Sequence, residues 1–347
     1  MKQNIPVLIL SVLSSSFLIL FCLFHFTIHP NRNKNGFSRD IVTSLRQIHS
    51  SPITSPLTEL CGTTNTRLFF STSDPRKIVS TNYTLEGYNI FSLPIPISDL
   101  YLRGANAQID SPTTYIFLNN ASSIITYALG DKKFYTTKLP LRLFTRQTRA
   151  SKNVIFFRGF DSAGKTQVFA KINVSNSKRL VEKQIITDED SVGLVSDGEL
   201  KFDSLTNTLL YVQFYQNRFF ALDTNLNIIY IGHTIDTTNT NPTFSKQFTR
   251  SAKGTILPGT PLNTINKSFR TYKKLMLVIS SLKSDNETIS DFRNNTVVDT
   301  YEIRNGQYKG SFYIPDINHE KVNNFSVLNN ILVAMYKSNI ATFGIKF

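Results

Sequence analysis

The chain has 347 residues, 41% of them hydrophobic and 18% charged, with a net charge of +14 and a pI near 9.7. Its abundance of Phe, Ile, Leu and Tyr excludes a disordered chain, and only two cysteines exclude a disulfide-stapled scaffold. The 38 basic residues form no run of five and accompany no zinc finger, helix-turn-helix or RNA-binding aromatic motif, so nucleic acid is not an expected partner.

Residues 5–28, IPVLILSVLSSSFLILFCLFHFTI, are almost wholly apolar. As a helix they would extend about 36 Å, enough to cross a hydrocarbon core of about 30 Å. The run ends in Phe, His, Thr, Ile and His with no small-residue cleavage site, so residues 1–29 are expected to be an uncleaved single-pass transmembrane anchor. Positive charge alone (Lys2 against Arg32, Lys34 and Arg39) would keep the following domain in the cytoplasm. An apolar segment at the very N-terminus usually serves as an export signal, however, and large domains cross largely regardless of charge. The expected location is therefore the cell membrane, with the large C-terminal domain extracytoplasmic (periplasmic). Residues 30–40, rich in Asn, Arg and Lys, read as a flexible tether.

Residues 41–347 are expected to form one domain, and past residue 60 the hydrophobic period is two, not 3.6. Apolar strands begin near Arg67, Tyr115, Val154, Leu209, Leu275 and Ile331. Partner strands follow near Lys77, Ile124, Gln167, Phe219, Val297 and Ala341, and most units add a third, such as KKFYTTKLP and YKGSFYIP. Gly, Asn and Asp bound these runs, as hairpin turns require. The repeat is mostly roughly 40–55 residues, with an apparent insertion, SDNETISDFRNN, in the fifth unit. Six such units imply an all-β, six-bladed β-propeller preceded by one N-terminal transmembrane helix. The sixth unit stops at Phe347 without an outer strand, and residues 41–60 are the natural ring-closing donor.

On the strand-like stretches LRGANAQID, NRFFALDTNLNIIYIGHTID and VVDTYEIRNGQYKGSFYIP the chain resembles membrane-anchored six-bladed propellers of bacteria, of the broad NHL/TolB-like kind. The resemblance spans about residues 60–347 and carries no catalytic signature. It implies a fold, and with it a non-enzymatic binding or scaffold module at the cell envelope; a lactonase-like propeller hydrolase, with or without a metal, is the alternative.

Several stretches bear on chemistry. GFDSAGKT, residues 159–166, spells a P-loop, but QVFAKINV after it alternates like a strand. A phosphate cradle needs a helix N-terminus there, so the stretch is expected to be a hairpin with Lys165 at its solvated tip, and no nucleotide is implied. The chain has no Trp, which removes sialidase-type boxes. Lactonase-type propellers hold a central calcium with Glu, Asn and Asp; Asp110, Glu199, Asn266 and Asn324 lie near blade-entry strands where such a set could converge. In a chain this rich in Asn and Asp the pattern carries little weight, so no cofactor or metal is implied. His233 reads as a packed strand residue, Asp188–Asp190 as an exposed acidic loop, and no catalytic residue is assigned. FTRQTRASK and FTRSAKG echo each other, and Arg103 lies similarly in YLRGANAQ. Arg103, Arg146, Arg149 and Arg250 are thus expected to surround one channel mouth, where they would bind a protein or an anionic envelope ligand.

Overall fold

Runs of β-branched and aromatic residues broken by short polar turns fold back on themselves, and each run pairs with its predecessor. A computed structural model of the chain describes residues 13–22, 34–95, 104–128, 130, 132–187, 195–237, 249–250, 256–257 and 263–347. Two strands come first, β1 (Ile41–Thr43) and β2 (Arg46–Pro52). Blade one follows as β3 (Leu57–Thr63), β4 (Arg67–Thr72), β5 (Lys77–Asn82) and β6 (Asn89–Ser92). Blade two is β7 (Asn106–Asp110), β8 (Thr113–Leu118), β9 (Ser123–Ala128) and β10 (Lys133–Lys138). Blade three is β11 (Leu143–Arg149), β12 (Val154–Phe160), β13 (Gln167–Asn173) and β14 (Lys178–Lys183). Blade four is β15 (Gly198–Asp203), β16 (Thr208–Gln213), β17 (Arg218–Leu222) and β18 (Ile228–His233). A small hairpin of β19 (Thr249–Arg250) and β20 (Ile256–Leu257) stands apart from the blades. Blade five is β21 (Asn266–Tyr272), β22 (Leu275–Ser280), β23 (Asn295–Glu302) and β24 (Tyr308–Pro315). Blade six has β25 (Asn324–Leu328), β26 (Ile331–Met335) and β27 (Asn339–Gly344), with β2 as its outer strand.

The ring is therefore a six-bladed propeller closed by the N-terminal segment. Within the 41–60 donor stretch, the closing strand is β2, antiparallel to β27 from Arg46↔Gly344 to Pro52↔Asn339. β1 lies parallel to β24 on blade five, and residues 57–60 already belong to the inner strand of blade one. Six apolar slabs fill the spaces between neighbouring blades. The slab that closes the ring joins Val333, Met335 and Ile340 of blade six to Leu57, Leu68 and Phe70 of blade one. Second strands are covered on both faces, which is why β16 is buried at every position and reads as a continuous apolar run. Each fully buried Phe or Leu in these slabs contributes roughly 1.5–3 kcal/mol of transfer free energy.

The insertion in blade five, with its short helix Ile289–Asn294, receives the N-terminal segment. Asp285 accepts from the Asn35 and Gly36 amides at 2.7 and 3.1 Å, and Asn286 exchanges two hydrogen bonds with the Arg39 backbone. Arg39 is buried; its guanidinium forks onto Asp299 at 2.7 and 3.1 Å, meets Glu287 at 2.5 Å and lies over the Phe37 ring at 4.9 Å. Burial works against both charges of the Arg39–Glu287 pair. The two carboxylates nevertheless raise the Arg39 pKa. Glu287 is held below the usual carboxylate range by the Ser284 amide, Arg39 and the Tyr313 hydroxyl. Residues 34–40, expected as part of a flexible tether, are thus strapped to blade five, because the insertion supplies the acids and amides that satisfy them. Residues 30–33 lie outside the described residues.

Of the apolar run 5–28, only residues 13–22 are described; they are helical and exposed. Among the described residues no helix is long and apolar enough to cross a membrane. The expected anchor lies mostly outside the described residues.

Candidate functional site

The inner strands β3, β7, β11, β15, β21 and β25 surround the ring's central channel. Their side chains alternate, so every second residue of a strand reaches one neighbouring blade. In β15, Glu199 and Lys201 sit two residues apart and share a face. Glu199 accepts from the Arg270 guanidinium at 2.6 Å, from the Phe269 amide at 2.7 Å, and pairs with Lys201 at 3.2 Å. Arg270 also donates to the Asn324 carboxamide oxygen, and Asn324 donates to the Thr58 carbonyl at 3.0 Å. Glu59 stands 3.9 Å from Arg270 and 4.0 Å from Lys201, close enough for attraction but too far for a hydrogen bond. This network laces blades four, five, six and one together at the axis. On the other side Gln147 donates to Asn106 at 2.5 Å, and the Phe202 amide donates to Thr148 at 3.1 Å. Between them lies a cavity of about 140 Å³, lined in part by Glu59, Asn106, Gln108, Gln147 and Lys201.

The electrostatics of this cluster limit its chemistry. Burial opposes the charge of Glu199, but Arg270, Lys201 and the Phe269 amide outweigh it and hold the carboxyl at about 2. A carboxylate so acidic neither takes nor gives a proton near neutrality. Cys61 reaches the slab between blades one and two, and its buried thiol donates weakly to the Phe69 carbonyl at 3.4 Å. Burial, with Glu59 nearby, pushes that thiol up, away from nucleophilic reactivity.

The four residues weighed as calcium ligands do not form a cation site. Glu199 and Asn324 do converge, but on the guanidinium of Arg270, which takes the place a cation would need. Asp110 pairs with Arg149 at 2.8 Å, and the Asn266 carboxamide is buried, donating to the Gln213 and Gln216 carbonyls. Among the described residues no cluster of three or more His, Cys, Asp or Glu could hold a metal.

Two of the four arginines lie on one inner strand, β11, three residues apart and therefore on opposite faces. Arg146 reaches blade four, where it meets the Gly198 carbonyl at 2.7 Å and Asp197 at 2.8 Å. Arg149 reaches blade two, where it meets Asp110 and lies 4.2 Å over the Tyr115 ring. Arg250 is in the separate β19–β20 hairpin, and Arg103 lies outside the described residues, as do Asp188–Asp190. His233, expected to be packed, is exposed at the end of β18, because that outer strand has no blade beyond it. The stretch at residues 159–166 is a hairpin: Asp161 accepts from the Lys165 and Thr166 amides, Gly164 adopts φ +70°, and β13 follows where a P-loop has its helix. Sequence reasoning missed Glu59, Lys201 and Arg270. Only the i, i+2 pair of Glu199 and Lys201 in GELKF was there to be noticed.

No protein-family model matches the chain, and no curated protein sequence matches it. Among solved structures it is similar to a candidate exported protein of Bacteroides fragilis, with TM-score 0.54 and 12% identity over 91% of this chain and 98% of that one. It is similar to a DUF4221 family member from Bacteroides vulgatus, with TM-score 0.54 and 10% identity over 89% and 98%. A streptogramin B lyase aligns with TM-score 0.49 and 11% identity over 88% and 98%. At such identities the two likenesses with TM-score 0.54 support the fold alone, the all-β, six-bladed propeller that the strand pairing shows.

Proposed function

We propose that this chain is a non-enzymatic binding propeller, held at the membrane by residues 5–28 with its ring outside the cytoplasm. The observation that carries the reading is the self-neutralised channel. Glu199, Arg270, Lys201 and Glu59 are engaged with one another, and Glu199 is too acidic for proton transfer near neutrality. These charges join blades four, five and one, the Asn324 carboxamide adds blade six, and binding is left to the outer surfaces of the ring. The basic balance favours an anionic or acidic partner. For the location, support comes from the apolar run and from the fold shared with a candidate exported protein.

Two experiments test this. Purified chain is assayed against a panel of lactones and esters with and without calcium. Turnover that Glu199→Gln abolishes would replace the reading with a propeller hydrolase. Membranes from the native host are extracted with alkaline carbonate, and the chain is expected to stay in the pellet. Release of a species beginning near residue 30 would refute the anchor.

A further inference from the structure

A second cavity, of about 760 Å³, opens on the face of the ring where the inner strands end, between blades five and six. It lies where the chain passes from β1 to β2 and where β27 runs out toward Phe347. Three cations line it: Arg46, Lys273 and Lys346. Among the described residues the lining carries no acidic side chain. The nearest carboxylate by register, Glu302 opposite Leu275, is already paired with Lys309 at 3.0 Å. Apolar surface borders the charge. Val42 is 57% exposed and Phe347 43%, the latter backed by the rings of Phe312 and Tyr272 at 5.9 and 6.0 Å. Neither observation is explained by closing the ring.

The backbone adds an independent sign. β21 and β22 are joined by Lys273 and Lys274 alone, at φ 47° and 66°. Two residues in the left-handed region form the hairpin turn that Asn and Gly suit and that other side chains adopt at a cost. The corresponding turn of blade six uses Asn329 and Asn330 at φ 50° and 62°. Blade five therefore spends stability in a turn whose first residue, Lys273, lines this cavity, and strain of that kind collects at ligand sites.

We propose that this cavity binds a phosphate-bearing amphiphile, the headgroup region of an anionic phospholipid. The phosphate lies among Arg46, Lys273 and Lys346, and the carbons next to it lie against Val42 and Phe347. Arginine and lysine together suit phosphate, one by its planar fork and the other as a point charge. The volume is within the range of small-ligand pockets.

The test uses the full chain in neutral detergent, titrated calorimetrically with dihexanoyl phosphatidic acid, inorganic phosphate and dihexanoylglycerol. The phosphatidic acid is expected to bind at least tenfold more tightly than either of the others and to weaken as salt is added. The double change Lys273→Asn/Lys274→Gly removes two charges and gives the turn residues it favours. It should lower affinity at least tenfold while the melting temperature holds or rises. Arg46→Gln, on the exposed edge strand β2, should lower affinity independently. Unchanged affinity in both variants overturns the site. Equal affinity for inorganic phosphate or for dihexanoylglycerol overturns the amphiphile class. A fall in melting temperature in the double variant overturns the argument from turn strain.

Discussion

Arg39→Met is the sharpest test of how the N-terminal strap is held. Methionine keeps much of the arginine's apolar stem and removes its charge. Asp299 and Glu287 would then remain buried with no counter-ion, since both face Arg39 with side chains only 3% and 2% exposed. Breaking a buried pair on one side typically costs about 3–5 kcal/mol. With unfolding entropy near 2.1 cal/mol/K per residue over about 310 residues, that is a fall in melting temperature of roughly 5–8 °C. The chain has no Trp, so the transition is followed by circular dichroism. The pH dependence adds a second readout. The folded pKa of Glu287 is depressed, so its stabilisation is present above the unfolded value and is lost as pH falls through the folded one. The difference between wild type and Arg39→Met should therefore shrink as the solution is acidified below about pH 4.3. Adding Asp299→Asn and Glu287→Gln to Arg39→Met should recover part of the loss, because no unpaired charge then remains. A loss below about 1 kcal/mol, the range of an exposed ion pair, would refute a buried strap.

Other outcomes follow from the same geometry. Glu199→Gln should cost about 3 kcal/mol at pH 7, from a carboxyl lowered to about 2; the sign requires this difference to vanish between about pH 4.5 and 2, which denaturant titrations across that window would check. Lys165→Ala should leave stability within about 0.5 kcal/mol, whereas Asp161→Ala, which removes the acceptor for two turn amides, should lower the melting temperature more than Lys165→Ala does; comparable losses would mean that the hairpin is misread. Gly198→Ala should destabilise the ring by more than 1 kcal/mol in thermal melts, since the new methyl would sit 2.2 Å from the Val212 carbonyl oxygen across the β15–β16 pair; a neutral effect would show that the inner strand of blade four can shift away from its neighbour.

Much of the architecture was legible in the residues themselves. Period-two runs, turn residues and a repeat of 40–55 residues are local properties, and the hairpins from β4 to β5 or β12 to β13 follow from them. The missing outer strand of blade six was legible too, because a count of strands reveals an uncovered edge. The inner strands were harder to read, since one side of each meets a polar channel and NKSFRTY or GELKFD lacks a clean apolar pattern. Only the tertiary structure decided which charges meet. Glu199 and Arg270 are 71 residues apart, and Arg39 and Asp299 are 260 apart. Their pairing depends on how far each blade turns about the axis and where the strap crosses blade five. The same holds for Arg146 and Arg149, whose similar settings in sequence become opposite faces of one strand once β11 is pleated between blades two and four. Turn chemistry acts over a few residues and is written there, whereas charge pairing across a ring is a property of the closed ring.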